Sequence, residues 1–148
     1  MKVACHISRG GTLEVIGKII PEYKKMVELQ PTISTDNKTI FGNIIYVDNY
    51  GNSISNISKK LFNEIGKGRH FEVTANTYKF NKINSKYSDI IDFSLAREQR
   101  QKDGTKLAIF NSANYLEIAM YRSNLNTVGG ASSLLGLNYR DIISIKFS

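Results

Sequence analysis

Ile40-Phe41-Gly42-Asn43-Ile44-Ile45-Tyr46-Val47, a β-branched and aromatic run that stops at Asp48, decides the fold class. Such side chains favour extended backbone because they pack well on a pleated, half-buried surface. From Thr39 onward the two-residue period keeps returning. Ile54 to Ile57 resumes after Gly51. Phe71, Val73 and Ala75 alternate with Glu72, Thr74 and Asn76, and Tyr78 to Ile83 is placed to pair with them. Lys106 to Phe110 reads as a buried strand. Leu116, Ile118 and Met120 alternate with Tyr115, Glu117, Ala119 and Tyr121, and Ile143, Ile145 and Phe147 close the chain. Two short helices interrupt. Ser58 caps Lys59 to Ile65 with Gly66 as its stop, and Ala131 to Leu135 forms the other. Roughly seven or eight strands with few helices predict a mainly β fold, an antiparallel barrel or two packed sheets.

Residues 1–38 have a different texture. Thr12 is placed to cap a short helix through Leu13, Val15 and Ile16 that ends at Gly17. Pro21 and Pro31, the only two prolines, bracket a polar segment whose Tyr23, Met26, Val27 and Leu29 are suited to dock on a neighbour. Thr32 to Lys38 is rich in Ser, Thr, Asn and Asp and reads as a loop. The expected organisation is an arm or linker over 1–38 and a β domain over 39–148.

Composition narrows the function. With 148 residues, 41% hydrophobic and 22% charged, the chain has the make-up of one globular domain. Its apolar runs fall far short of the roughly 20 residues a membrane span needs. No basic-then-apolar leader opens it, and Cys5 is the single cysteine. A disulfide within the chain is therefore excluded, no zinc site can be assembled from it with His6 and His70, and a reducing, cytoplasmic setting is expected. The net charge of +7 raises nucleic acid as a partner, but the cations are scattered and interleaved with acids. The densest run, Arg97 to Lys106, reads as a solvated loop, so nucleic acid is disfavoured.

Two stretches carry chemistry. Asp48-Asn49-Tyr50-Gly51-Asn52 has the residues of a tight turn, with Asn49 and Gly51 as candidates for positive φ. It also sets a ring that can stack on a purine beside a carboxamide that can offer donor and acceptor together, with Asp48 able to receive an ammonium group. Asn111 to Ala119 reads as a hairpin with Ser112, Ala113 and Asn114 at the turn. Its polar excess is Ser112 and a mid-strand Glu117, which alternation directs to solvent with Tyr115 and Tyr121. His6 has no carboxylate neighbour and is not assigned as a catalyst. Gly129-Gly130 precedes a helix without the rest of a phosphate-loop pattern.

Taken in order, these stretches resemble the C-terminal domain of the S-adenosylmethionine (SAM) hydroxide adenosyltransferases, or SAM hydrolases, relatives of the fluorinating and chlorinating adenosyl enzymes. Gly42 to Asp48 followed by Tyr50-Gly51-Asn52 and Asn56-Ile57 is similar to one signature of that family. Asn111-Ser112-Ala113 with Leu116-Glu117-Ile118-Ala119, Leu134 to Leu137 and Asp141 is similar to another, and His6 to Gly10 resembles the approach to its interdomain linker. Asn114 stands where the family usually has glycine, and Ser55 where it has threonine. The resemblance implies a SAM site between subunits of a homotrimer and no further cofactor or metal. In it Asp48 and Ser112 hold the methionine amine, Tyr50 stacks on adenine, Asn52 bonds its edge, and backbone near Tyr121 and Arg122 closes the pocket. Glu117 belongs to the same signature without an assigned role. The spacing from Asp48 to Tyr50 suits hydroxide over halide as nucleophile. The family's catalytic Asp-Arg-His set belongs to its N-terminal domain and has no counterpart in these residues. The expectation is a binding domain that is not an enzyme alone. Rival expectations are a stand-alone adenosine or SAM module, and a basic barrel that stacks single-stranded nucleic acid on Tyr46, Tyr50 and Tyr78.

Overall fold

A computed structural model describes residues 2–23, 28–100, 103–124, 127 and 129–148. Met26 and Val27 of the expected docking segment lie outside the described residues. The elements in chain order are α1 (Lys2–Ser8), β1 (Thr32–Ile33), β2 (Thr39–Val47), β3 (Ser53–Ser58), α2 (Lys59–Gly66), β4 (Phe71–Ala75) and β5 (Tyr78–Phe80). They continue with β6 (Ile83–Asn84), β7 (Lys106–Phe110), β8 (Tyr115–Met120), α3 (Ala131–Leu135) and β9 (Ile142–Phe147). The mainly β architecture read from the periodicity is the one observed.

The strands make a single sheet in the order β5-β4-β9-β2-β3-β8-β7-β6, with β1 added on β2. All pairings are antiparallel except β6 with β7. The edge strands β5 and β6 are joined through residues 81–82 alone. The sheet therefore curls until its edges almost meet, giving a nearly closed barrel. The run from Tyr78 to Ile83, expected to pair as a unit, is divided at this seam. Tyr78 to Phe80 pairs with β4, and Ile83 and Asn84 cross to β7.

Alternation places the core. Ile40 and Ile44 of β2, Val73 and Ala75 of β4, and Ile143, Ile145 and Phe147 of β9 point inward and are buried. Apart from Ala75, each such side chain contributes about 1.5–3 kcal/mol by leaving water. α2 plugs one end. Its Ser58 cap accepts the Leu61 amide at 3.1 Å, and Phe62 packs on Phe71, Phe110 and Phe147 with ring centroids 5.1–5.6 Å apart. The helix runs through Gly66, and Lys67, at φ 47°, makes the left-handed stop expected of the glycine.

No residue from Lys2 to Tyr23 is buried. The helix expected after Thr12 is a single 3-10 turn, Leu13–Val15. The His6 ring bonds the Thr12 carbonyl at 3.0 Å, a contact within the arm. The loop expected from Thr32 begins as a strand instead, because Thr32 and Ile33 find Phe41 and Ile40 across a short reversal. Among the described residues no helix is long and apolar enough to cross a membrane.

Candidate functional site

The turn between β2 and β3 is built by Asp48. Its Oδ1 accepts the backbone N–H of Tyr50 at 2.8 Å and of Asn52 at 2.9 Å, and its Oδ2 accepts the Asn52 carboxamide at 2.9 Å. Gly51 alone supplies the left-handed backbone, at φ 76°, and Asn49 does not share it. The Tyr50 ring is left 71% exposed, whereas Asn52 is buried. From behind, α3 holds the turn. The Ser132 amide donates to the Gly51 carbonyl at 2.8 Å. Gly130 lies so close that a Cβ there would sit 2.6 Å from both the Tyr50 oxygen and the Gly51 Cα.

The turn between β7 and β8 repeats the device. Asn111 Oδ1 accepts the backbone N–H of Ala113 at 3.0 Å and of Tyr115 at 3.1 Å, the same two offsets that Asp48 serves. Asn114 takes φ 62°, the left-handed conformation that asparagine tolerates. Ser112 is exposed on this turn. The β3–β8 register, Ser53 with Ile118 and Ser58 with Tyr115, sets the two turns at opposite ends of that ladder. The separation is roughly 10 Å along β8. Asp48 and Ser112, which the resemblance puts on one amine, thus sit at opposite ends of that ladder.

Between the turns runs an open cleft of ≈ 860 Å³. Asp48, Tyr50 and Asn52 line it from the first turn and Ser112 from the second. Glu117 lines it from β8, and Tyr121 and Arg122 from the loop after β8. All seven residues singled out in the sequence therefore face one space. Arg122 has a left-handed φ of 50°. It pairs with Asp103 at 3.5 Å across an exposed rim, a contact that contributes little.

Glu117 does not point to solvent. It is 5% exposed. Alternation assumes one wet face, but here the turn at residues 87–90 covers the outer face of β7 and β8. Ile90 and Tyr121 pack there on Leu107, Ile109 and Ala119 in a second, smaller core. Inside it the Tyr87 hydroxyl donates to Glu117 Oε1 and accepts from Asn52 Nδ2 at 3.4 Å. Burial first, then the bond to Glu117 and the charges of Glu117 and Asp48, raise the Tyr87 phenol above the ordinary tyrosine range. Both amide hydrogens of Asn52 are thus engaged within the protein, leaving its oxygen as the group on offer.

Tyr87 is the site residue that sequence reasoning missed. Its one local sign is the Lys86-Tyr87-Ser88-Asp89 turn. There Asp89 accepts the amides of Lys86 at 2.9 Å and Ser85 at 2.8 Å, bonds that hold its carboxyl below the usual range. Of the rings considered for nucleic acid, Tyr46 and Tyr50 are exposed, and Tyr78 has its face taken by the Lys106 ammonium at 4.3 Å.

A family model described as the SAM hydroxide adenosyltransferase C-terminal domain matches residues 42–144. No curated protein matches the chain. A crystal structure of an uncharacterized conserved protein from Thermotoga maritima is similar with a TM-score of 0.63 and 24% identity, over 97% of this chain and 49% of that one. A crystal structure of a conserved hypothetical protein from Thermus thermophilus is similar with a TM-score of 0.52 and 19% identity, over 98% of this chain and 49% of that one. These two likenesses concern the fold. The chain spans about half the length of the solved structures it matches.

Proposed function

The chain belongs to the SAM hydroxide adenosyltransferase C-terminal domain family, and from that membership we propose that its cleft is the C-terminal wall of a SAM and adenosine site. The observation that carries the reading is convergence. Residues as far apart in the chain as Asp48 and Arg122 line one cleft of ≈ 860 Å³, within the usual range for small-molecule pockets.

In this reading the exposed Tyr50 ring stacks on adenine, held at its height by Gly51 and by α3 behind it. Asn52 meets the edge of the base, and backbone at Tyr121 and Arg122 closes that end. The Ser112 hydroxyl anchors the methionine end, and Asp48 keeps one lone pair of Oδ2 for the ammonium. The reaction of the full enzyme is attack by a water-derived hydroxide on the ribose C5′. The C5′–S bond breaks, the sulfur keeps its electron pair, and adenosine and methionine result. The residues of this chain hold the electrophile in line for that attack. The groups that act on water are those the resemblance assigns to the N-terminal domain, and a neighbouring subunit of a trimer supplies the facing wall.

The test is an NMR titration of labelled protein with adenosine and with SAM. A half-built pocket predicts dissociation constants on the order of millimolar, with shifts concentrated at residues 48–52, 112 and 121–122. Tyr50→Ala should abolish them. Shifts confined to the 97–106 loop, or none at about 10 mM ligand, would overturn the assignment.

A further inference from the structure

Four side chains of the cleft wall form one hydrogen-bonded row: Asp48, Asn52, Tyr87 and Glu117. Its two ends are carboxylates, which accept and, when ionised, cannot donate. Between them lie three protons, two on the Asn52 amide and one on the Tyr87 phenol. A single arrangement satisfies both ends. One amide proton goes to Asp48 Oδ2, the other to Tyr87 Oη, and the phenolic proton to Glu117 Oε1. Turning the Asn52 amide over would set its oxygen 2.9 Å from Asp48 Oδ2, acceptor against acceptor. The raised phenol of Tyr87 keeps the third proton in place.

The row leaves acceptors only. Among the described residues no protein donor reaches Asn52 Oδ1 or Glu117 Oε2, yet no fully buried side-chain oxygen or nitrogen lacks a partner. Both residues are more than nine-tenths buried, and both line the cleft. Their remaining oxygens therefore open on it. A wall of this kind is satisfied by a ligand edge that carries N–H groups and is left with desolvated, unmatched oxygens by an edge that carries none.

We propose that Glu117 is a specificity-determining residue: Tyr87 engages its Oε1, so its Oε2 meets the cleft as an acceptor beside the Asn52 oxygen, and the site selects purines bearing an exocyclic amine. The proposal rests on the reading of the cleft as an adenosine site and adds to it two residues and a direction of selectivity. Glu117 meets the base through its free oxygen, and the row decides which oxygen is free. Its removal should therefore change which base edge is preferred more than how tightly a purine is held.

The experiment compares adenosine with purine riboside, which lacks only the exocyclic amine, by NMR titration of the full chain. Wild type should favour adenosine by about tenfold, the value of one well-matched hydrogen bond. Glu117→Gln, whose oxygen still accepts from Tyr87 and whose NH₂ then replaces the free acceptor on the cleft, should bring that ratio to within about twofold of unity. Tyr87→Phe leaves the Asn52 amide on Asp48 and should keep most of the preference. Melting curves establish that the variants fold. Independently of ligand, the Asn52 side-chain amide of wild type should exchange its protons slowly, and should keep much of that protection in Tyr87→Phe, where Asp48 still accepts one of them. A preference kept in Glu117→Gln would overturn the proposal, as would equal weakening of both ligands, which marks a merely structural role. A wild-type Asn52 amide that exchanges as fast as an exposed one would overturn it even if a variant failed to fold. Wild type that binds neither nucleoside removes the adenosine reading itself, whereas wild type that binds both equally removes only the selectivity.

Discussion

Replacing Asp48 by alanine deletes three hydrogen bonds at once, and the structure says which of them matter. The partners are the Tyr50 amide at 2.8 Å, the Asn52 amide at 2.9 Å and the Asn52 carboxamide at 2.9 Å. A bond to an ionised acceptor contributes about 1.5–3 kcal/mol when water cannot take the acceptor's place. Water can replace it at Tyr50, which is exposed. It cannot do so easily at Asn52, which is 6% exposed. Two shielded bonds therefore dominate, and Asp48→Ala should lower stability by about 3 kcal/mol. For a domain of this size that is a melting temperature lower by about 6–12 °C. Asp48→Asn separates the contributions. It keeps an oxygen for the two backbone amides but sets an NH₂ group against the Asn52 amide, so the loss should be nearer 1 kcal/mol. Urea denaturation followed by far-ultraviolet circular dichroism gives both values, and the order should be wild type, Asp48→Asn, Asp48→Ala. An alanine variant within about 0.5 kcal/mol of wild type would show that the turn is held by something other than this carboxylate.

Phe147→Ala should cost about 3–5 kcal/mol in the same assay, since that ring is 1% exposed and carries both Phe62 and the Arg69 guanidinium. Gly130→Ala should cost about 1–3 kcal/mol through overpacking and shift the amide signals of Tyr50 and Gly51. Gly17→Ala, which meets nothing within 4 Å, is the matched control and should be neutral. The raised phenol of Tyr87 makes stability depend on alkaline pH. The fold favours the protonated form, so the contribution is complete below the ordinary tyrosine range and is lost as pH climbs through and above it. An absorbance titration should find the Tyr87 phenol ionising late or only on unfolding. Tyr87→Phe should remove that late step.

The strands with one wet face were legible in the sequence, because alternation measures that condition. β4 and β9 bury Val73, Ala75, Ile143, Ile145 and Phe147 on one side and show Glu72 and Lys146 on the other. The helix at Ser58 was legible for a local reason as well, a side-chain oxygen over an open amide. The seam was not. Whether Ile83 continues β5 or crosses to pair in parallel with Ala108 depends on where a strand more than twenty residues later comes to lie. No local pattern encodes that. Glu117 fails for a related reason. Its strand is covered on both faces, and the cover comes from the turn at Tyr87, which reads in sequence as polar loop.

The site residues pose a harder question, since turn chemistry and binding chemistry draw on the same atoms. Asp48 and Asn111 each place one oxygen under two backbone amides at equal offsets, so residue type at either turn is accounted for before a ligand is considered. What distinguishes a site from a turn is the remainder after the fold has taken its hydrogen bonds. For the second turn that remainder is the Ser112 hydroxyl. For the first it is the Tyr50 ring and the Asn52 oxygen, which the turn's own bonds leave unused. For the wall between them it is one oxygen of Glu117. These groups come from separate strands and turns yet line one cleft, and three of them are acceptors or rings with no structural task to perform. A residue list drawn from sequence can name Asp48 and Asn52, but only the count of their committed protons shows that Asp48 chiefly builds the turn and Asn52 chiefly presents an oxygen. Mutations of Asp48 and of Glu117 should accordingly part company, with Asp48 changing melting temperature and Glu117 changing which purine is held.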